Sequence, residues 1–170
     1  MAKIAVLLED LFEDSEFLKP FEAFKEKGHD VVVIGTKIKT VTGMKKYTKV
    51  EIEKEIKDVK EKDFDALFIP GGYSPDKLRI YDEVLAFVKD FMKEEKPVFA
   101  ICHGSQILIS ADVLKNRKVT GWKSIKQDLI NAKATFIDDK VVVDKNLISS
   151  RMPDDLPYFI EECLKKLNEL

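Results

Sequence analysis

Short apolar runs alternate along the chain with longer amphipathic stretches, a pattern typical of successive β-α-β units. Four apolar runs have the length of a strand and lack polar alternation, which indicates parallel strands buried on both faces. They are Lys3–Leu8, Asp30–Ile34, Ala66–Pro70 and Pro97–Ile101. The pattern therefore predicts an α/β protein with a mostly parallel sheet.

The amphipathic stretches between these runs predict helices. Asp14 and Ser15 are expected to cap a helix over about Glu16–Lys27, which Gly28 ends. Pro20 lies inside that stretch and predicts a kink or a late start. The other predicted helices are Asp76–Glu94, Ser105–Ser110 and Asp154–Leu170.

Two regions have weaker patterns. Residues Lys37–Lys62 are rich in lysine and glutamate, and we expect a peripheral strand near Thr48–Ile52 followed by a short helix. Ala134–Ser150 predicts two or three short strands around a turn at Asp138-Asp139. No linker, repeat or low-complexity stretch interrupts the chain, so residues 1–170 are expected to form a single domain.

Composition excludes several classes of protein. The chain has 29 Lys+Arg against 31 Asp+Glu, a formal net charge of -2, which argues against nucleic-acid binding. No apolar run approaches the ~20 residues that cross a bilayer. The first apolar stretch leads directly into acidic residues without a cleavage site, so a cytoplasmic location is expected.

Cysteine and histidine are too few and too scattered for a scaffold of disulfides or metals. Cys102 and Cys163 lie far apart, and His29 and His103 add no chelating spacing. No phosphate-binding loop of the Walker type or dinucleotide fingerprint is present. We therefore expect no bound nucleotide, flavin or metal ion.

The most informative segment is PVFAICHGSQILIS, from Pro97 to Ser110. A buried strand ends at Cys102, His103 and Gly104 follow, and a helix begins, which is the arrangement of a nucleophile elbow. The helix N-terminus is expected to lower the pKa of the thiol, and His103 is a candidate base. An inert buried cysteine is the alternative, but the context favours a reactive thiol.

Two further segments follow core strands and are expected at the same edge of the sheet. Gly71 and Gly72 can offer backbone N–H groups to a developing oxyanion, although a simple tight turn also explains them. The acidic run Glu9–Asp14 usually indicates solvated surface, yet a carboxyl there can reach the Cys102 sulfur.

Together these segments resemble the ThiJ/PfpI superfamily, which contains PfpI-type intracellular peptidases, glyoxalases and deglycases. The likeness extends from end to end, and the AICHG motif is its most specific part. The matching stretches are Phe12–Phe17, Asp65–Arg79, Lys96–Leu114 and Val141–Phe159.

The resemblance implies a flavodoxin-like three-layer α/β sandwich, related to the class I glutamine amidotransferase domain. By position, Cys102 matches the nucleophile and His103 the histidine that follows it. Glu13 matches the glutamate that touches the thiol, and Gly72 the glycine of the oxyanion site. Asp76 matches the carboxylate that a neighbouring subunit contributes to the triad, so a homo-oligomer is expected.

Some positions depart from the family pattern. Asp76 is one methylene shorter than the usual glutamate, and Ser105 replaces a common proline. Trp122 stands where relatives often carry tyrosine and is expected to narrow the mouth of the pocket. Met152 offers no second imidazole at a position where some relatives have histidine.

The leading hypothesis is a cysteine enzyme that attacks a carbonyl carbon, a PfpI-type intracellular peptidase. The alternative is a glutathione-independent glyoxalase or deglycase that acts on methylglyoxal and on glycated amines. In either case Gly72 and His103 N–H groups would hold the oxyanion, and Glu13 would share a proton with the sulfur. A non-enzymatic chaperone or redox sensor that uses Cys102 is a further alternative.

Overall fold

The computed structural model describes all 170 residues. Eleven strands are present: β1 (Lys3–Leu7), β2 (Asp30–Gly35), β3 (Thr40–Thr42), β4 (Lys49–Glu51), β5 (Lys54–Glu55), β6 (Ala66–Ile69), β7 (Val98–Ile101), β8 (Lys118–Val119), β9 (Thr135–Phe136), β10 (Val141–Asp144) and β11 (Leu147–Ser150). Six α-helices accompany them: α1 (Asp14–Glu26), α2 (Ser74–Leu78), α3 (Asp82–Lys93), α4 (Ser105–Ser110), α5 (Lys126–Asn131) and α6 (Leu156–Asn168).

Seven strands form the central sheet in the order β10-β11-β7-β6-β1-β2-β5. Only the β10–β11 pair is antiparallel, and every other pair is parallel. This confirms the predicted fold class, a mostly parallel α/β sheet. The predicted core strands β1, β6 and β7 are its centre, which explains why their sequences are apolar on both faces.

The sheet is covered by helices on both faces, which makes three layers. On one face α3 and α4 supply core residues such as Phe87, Phe91 and Leu108. On the other face α1 and α6 supply Phe24 and Phe159. No helix is both long enough and apolar enough to span a membrane.

Several predicted boundaries are corrected by the structure. The expected helix Asp76–Glu94 is divided into α2 and α3, because the chain leaves the helix at Arg79, whose side chain donates a hydrogen bond to Ser110. Helix α1 begins at Asp14 and continues through Pro20. The strand expected near Thr48–Ile52 is β4, and it pairs with β3, a strand that the sequence pattern does not predict.

The topology brings three loops together at one edge of the sheet. Strands β7, β6 and β1 are adjacent and parallel, so the segments that follow them meet where these strands end. Those segments are the Cys102 turn, the Gly71-Gly72 loop and the acidic run that leads into α1. The predicted chemistry therefore converges in space.

Candidate active site

Cys102 occupies a strained elbow directly after β7. Its φ is 60°, in the left-handed region that non-glycine residues seldom adopt. A single 3-10 turn, Cys102–Gly104, then leads into α4. A Cβ on Gly104 would lie 2.5 Å from the backbone oxygen of Ile69, so only glycine lets the turn pack against β6. This is the strand–turn–helix conformation of a nucleophile elbow.

The loops after β1 and β6 are held together by backbone hydrogen bonds. Phe12 and Gly72 form an isolated antiparallel bridge, and the Tyr73 N–H donates to the Leu11 carbonyl over 2.8 Å. Gly72 has a φ of 75°, and a Cβ there would overlap the backbone nitrogen of Glu13. The glycine therefore allows a close approach that fixes the acidic loop beside Cys102.

Glu16, rather than Glu13, is the carboxyl that faces the Cys102 thiol, which corrects the residue taken from the family pattern. Glu16 is fully buried in the first turn of α1. A Cβ on Gly71 would overlap Glu16 Oε1 and lie 2.9 Å from Cys102 Cβ, so the two side chains meet beside this glycine. Neither oxygen of Glu16 has a well-aligned hydrogen bond to another protein group.

Glu13 has a different role, three residues earlier. Its carboxylate caps α1 by accepting from the Glu16 N–H over 2.8 Å, and it also accepts from Ser15. Lys45 Nζ lies 2.8 Å from Glu13 Oε1. Burial tends to raise the pKa of Glu13, but Lys45, Ser15 and the backbone together hold it below its usual value. Glu13 is therefore the ionised acid of the pair.

Burial and the charge of Glu13 raise the pKa of Glu16 to about 8. At neutral pH Glu16 is consequently protonated and can donate to sulfur. Burial also raises the pKa of Cys102, and the charge of ionised Glu16 adds to this, while N–H groups of His103 and Gly72 act in the opposite direction. Burial therefore opposes the lowering of the thiol pKa that the helix N-terminus is expected to cause.

His103 contacts the nucleophile through its imidazole ring. Nδ1 lies 3.3 Å from Cys102 Sγ, and Nε2 lies 3.3 Å from Ser124 Oγ. Burial lowers the pKa of His103, and Asp76 works against this shift. A neutral imidazole beside the sulfur can accept the thiol proton. Asp76 of the same chain is exposed and makes no hydrogen bond to the ring.

A cavity of about 440 Å³ opens above these groups. Cys102 is 9% exposed and forms part of the lining of this cavity. Trp122 forms part of the wall, and its backbone N–H donates to the Cys102 carbonyl over 3.1 Å. The remaining lining residues are Glu13, Glu16, Met44, Gly72, Tyr73, His103 and Pro153.

The structure therefore brings together most of the expected site, and it adds two residues. Glu16 lies on the same face of α1 as Pro20 and Phe24, at spacings of four residues. An acidic residue on this otherwise apolar face is the sequence signal that could have identified Glu16 as part of the site. Ser124 carries no such signal, because it reaches His103 only through the tertiary fold.

The chain is similar in sequence to known bacterial proteins along nearly its whole length. It is 52% identical over 166 residues to the "Putative cysteine protease YraA" of Bacillus subtilis, covering 97% of this chain and 98% of the relative. It is 52% identical over 167 residues to "Protein/nucleic acid deglycase 2" of Escherichia coli, covering 97% of each.

A solved structure from Anabaena variabilis contains a DJ-1/ThiJ/PfpI-like domain and a ferritin-like domain. It superposes with a TM-score of 0.97 at 37% identity, covering 99% of this chain and 48% of that one, so this chain spans about half of its length. The model of the DJ-1/PfpI family matches residues 2–166. The resemblance seen in the sequence is confirmed, and the chain belongs to the DJ-1/PfpI family.

Proposed function

We propose that this protein is a cysteine-dependent enzyme that adds Cys102 to the aldehyde carbon of a small α-oxoaldehyde such as methylglyoxal, or of its adducts with amines. One relative that is 52% identical is named "Protein/nucleic acid deglycase 2". The observation that carries the proposal is the buried Glu16–Cys102 pair, in which a protonated acid faces the nucleophile inside a small cavity.

The first step forms the carbon–sulfur bond. The thiol proton passes to His103, whose Nδ1 lies 3.3 Å from the sulfur, as Cys102 attacks the aldehyde carbon. Glu16 donates its proton to the carbonyl oxygen, which becomes the hydroxyl group of a hemithioacetal. The N–H groups of Gly72 and His103, which face the sulfur, stabilise the developing charge on oxygen.

The second step is an internal redox rearrangement that needs no external oxidant. The hydrogen on C1 moves to C2 as a proton, and the hydroxyl proton moves to the C2 oxygen. We assign Glu16, now a carboxylate, as the base that moves the C1 proton. The product is an S-lactoyl thioester of Cys102, which water cleaves to lactate and the free thiol.

Lactate formation tests this function directly. The purified protein is incubated with methylglyoxal without glutathione, and lactate is measured for the wild type, Cys102→Ala and Cys163→Ala. We expect lactate from the wild type and from Cys163→Ala, but none from Cys102→Ala. Equal lactate from Cys102→Ala, or none from a folded wild type, would overturn the proposal.

Peptide hydrolysis is the second candidate, favoured by the direct contact between Cys102 Sγ and His103 Nδ1 that a cysteine hydrolase requires. In that reaction His103 returns the thiol proton to the leaving amine, and water cleaves the acyl-enzyme. Hydrolysis of fluorogenic peptides that is lost in Cys102→Ala, with no lactate from methylglyoxal, would establish this reaction instead.

Assembly and location are also proposals. Asp76 is exposed near His103, and a second copy of the chain would supply a further carboxylate if it docked at this edge. Both cysteines are free thiols, which suits a reducing compartment such as the cytoplasm.

A further inference from the structure

The β3–β4 hairpin lies outside the central sheet and contributes to the wall of the active-site cavity. Its two strands form a sheet of their own, and the turn between them, residues 43–48, forms the hairpin tip. Met44, in this tip, lines the cavity that contains Cys102. An isolated two-stranded hairpin is at best marginally stable in water, so the position of the tip depends on its contacts with the rest of the chain.

Asp14 contacts the hairpin tip through both oxygens of its carboxylate. Oδ1 accepts a hydrogen bond from the backbone N–H of Lys45 over 2.8 Å, and Oδ2 accepts one from that of Thr48 over 3.0 Å. Asp14 is fully buried in the first turn of α1. Burial of a carboxylate is costly unless hydrogen bonds compensate for the lost water, so these two bonds favour one arrangement of helix and tip.

Gly43 shows how closely the carboxylate and the tip fit together. A Cβ on Gly43 would lie 2.2 Å from Asp14 Oδ2 and 2.4 Å from Asp14 Cγ. The φ of Gly43 is not in the left-handed region, so lack of space, rather than backbone conformation, is what requires glycine here. The Asp14 carboxylate therefore packs directly against the backbone of the tip.

The other attachments of the hairpin hold the opposite side of the tip. The N–H of Met44 donates to the Phe12 carbonyl over 2.8 Å, and the N–H of Leu11 donates to the Thr42 carbonyl over 2.8 Å. Met44 thus lies between these bonds and those of Asp14. Its side chain is 38% exposed, so it stands where the cavity opens to solvent.

We propose that Asp14 is a positioning residue that holds the hairpin tip as one wall of the cavity, and that Met44 on this wall limits the size of the group next to the reacting carbonyl. A methionine side chain is unbranched and fills irregular space, which suits it to this place. The identity of the substrate as an α-oxoaldehyde rests on the function proposed above, whereas control of access to Cys102 by the tip does not.

Displacement of the tip would also disturb a charge in the site. Lys45, which is part of the tip, places its Nζ 2.8 Å from Glu13 Oε1. Loss of the Asp14 bonds is therefore expected to change the reactivity of the site toward every reagent alike. A ratio of rates for a bulky and a small reagent removes this common effect and reports on the wall alone.

Access to the sulfur is tested first, without turnover. Cys102 is alkylated with iodoacetamide and with the bulkier N-benzyl iodoacetamide, and both rates are followed by mass spectrometry. The ratio of the bulky to the small rate should rise about tenfold in Met44→Ala and several-fold in Asp14→Asn, whose amide NH₂ group would face one of the two backbone N–H donors. Glu51→Gln is the matched control, because Glu51 accepts from Thr40 on the hairpin outside the cavity, and it should leave the ratio unchanged.

Two further variants test whether Asp14 acts through Met44. Asp14→Asn/Met44→Ala should give the same ratio as Met44→Ala alone, because residues that act through one wall are not additive. Multiplied gains would contradict the positioning role. Gly43→Ala displaces the tip from the opposite side of the same contact and should raise the ratio as Asp14→Asn does. It provides the test if Asp14→Asn does not fold, and an unchanged ratio would then refute the role of Asp14.

Kinetics test the consequence for substrate size. Methylglyoxal is followed as lactate and phenylglyoxal as mandelate, for the wild type and the same variants. In Met44→Ala, KM for phenylglyoxal should fall about tenfold while kcat stays within about twofold, because the larger cavity admits the ring without altering the reacting groups. Turnover of both aldehydes at the wild-type ratio in Met44→Ala would overturn its role in selecting substrates.

The outcomes separate this proposal from the proposed function. A changed alkylation ratio without turnover of either aldehyde would retain the wall and remove the carbonyl function. An alkylation ratio that stays the same in both Met44→Ala and Asp14→Asn would overturn the wall, even if methylglyoxal is consumed.

Discussion

The buried carboxyl of Glu16 faces the sulfur of Cys102 beside Gly71, where a side chain of any size would separate them. Burial, together with the charge of ionised Glu13 three residues earlier, keeps Glu16 protonated at neutral pH. The site therefore contains two acids with opposite protonation states, which is the usual sign of separate chemical roles.

Glu16→Gln and Glu13→Gln should affect turnover differently. Glutamine at position 16 fills the same volume but cannot transfer a proton, so kcat for lactate formation should fall roughly 10²- to 10⁴-fold. Glutamine at position 13 leaves Glu16 in contact with the sulfur, and the loss should be smaller. Equal losses in the two variants, measured by lactate release, would contradict the assignment of Glu16 as the proton donor.

The raised pKa of Glu16 predicts a pH-dependent difference in stability. Its folded value of about 8 lies above the ordinary value of 4.5, so the folded state binds the proton more tightly than the unfolded state. Wild type should match Glu16→Gln below pH 4.5 and lose stability relative to it as pH rises to 8, by a few kcal/mol at order of magnitude. Urea unfolding at pH 4 and pH 8.5 measures this, and a constant difference would contradict it.

The rate at which Cys102 is alkylated should depend on the ionisation of Glu16. Above pH 8 ionised Glu16 repels the thiolate, so iodoacetamide should modify Glu16→Gln several-fold faster than wild type at pH 9. Below pH 7 the difference should be small because Glu16 is then neutral. Mass spectrometry distinguishes Cys102 from fully buried Cys163, which should remain unmodified in the native state and serves as the internal control.

Gly71→Ala should abolish turnover while leaving a folded protein. The new methyl group would overlap the Glu16 carboxyl and press on Cys102, and overpacking of this kind costs about 1–3 kcal/mol. Gly28→Ala is the matched control, because nothing lies within 4 Å of its Cβ and only its φ of 82° is strained. Full activity of Gly71→Ala would show that the glycine does not position the pair.

The elbow was predictable from sequence because its signal is local. A buried strand, Cys102, a small turn and a helix are consecutive in the chain, and no long-range contact is needed to recognise them. The sheet was predictable for the same reason, because apolar runs such as Ala66–Pro70 are also local features of the sequence. Helix boundaries were not predictable in the same way, because α2 ends at Leu78 and Arg79 makes a tertiary hydrogen bond to Ser110 within a stretch whose pattern predicts one continuous helix.

The choice between Glu13 and Glu16 was not predictable from the acidic run alone. Both residues follow β1, and only the orientation of the first turn of α1 decides which carboxyl caps the helix and which is buried. The contact of Ser124 with His103 was not predictable for a different reason. Its contact with His103 spans 21 residues and exists only once the chain after β8 has folded back.

The left-handed backbone at position 102 favours a different residue from the cysteine that the proposed reaction needs. A sequence chosen for stability alone would carry glycine at this position, because glycine adopts a φ of 60° without strain. Cys102→Gly should therefore be more stable than Cys102→Ala by about 1 kcal/mol, although both are inactive. If the protein were evolved in the laboratory under selection for stability alone, we expect that mutation would soon replace Cys102. If Cys102 persisted in an evolving lineage, its persistence would show that the chemistry of the thiol is also under selection.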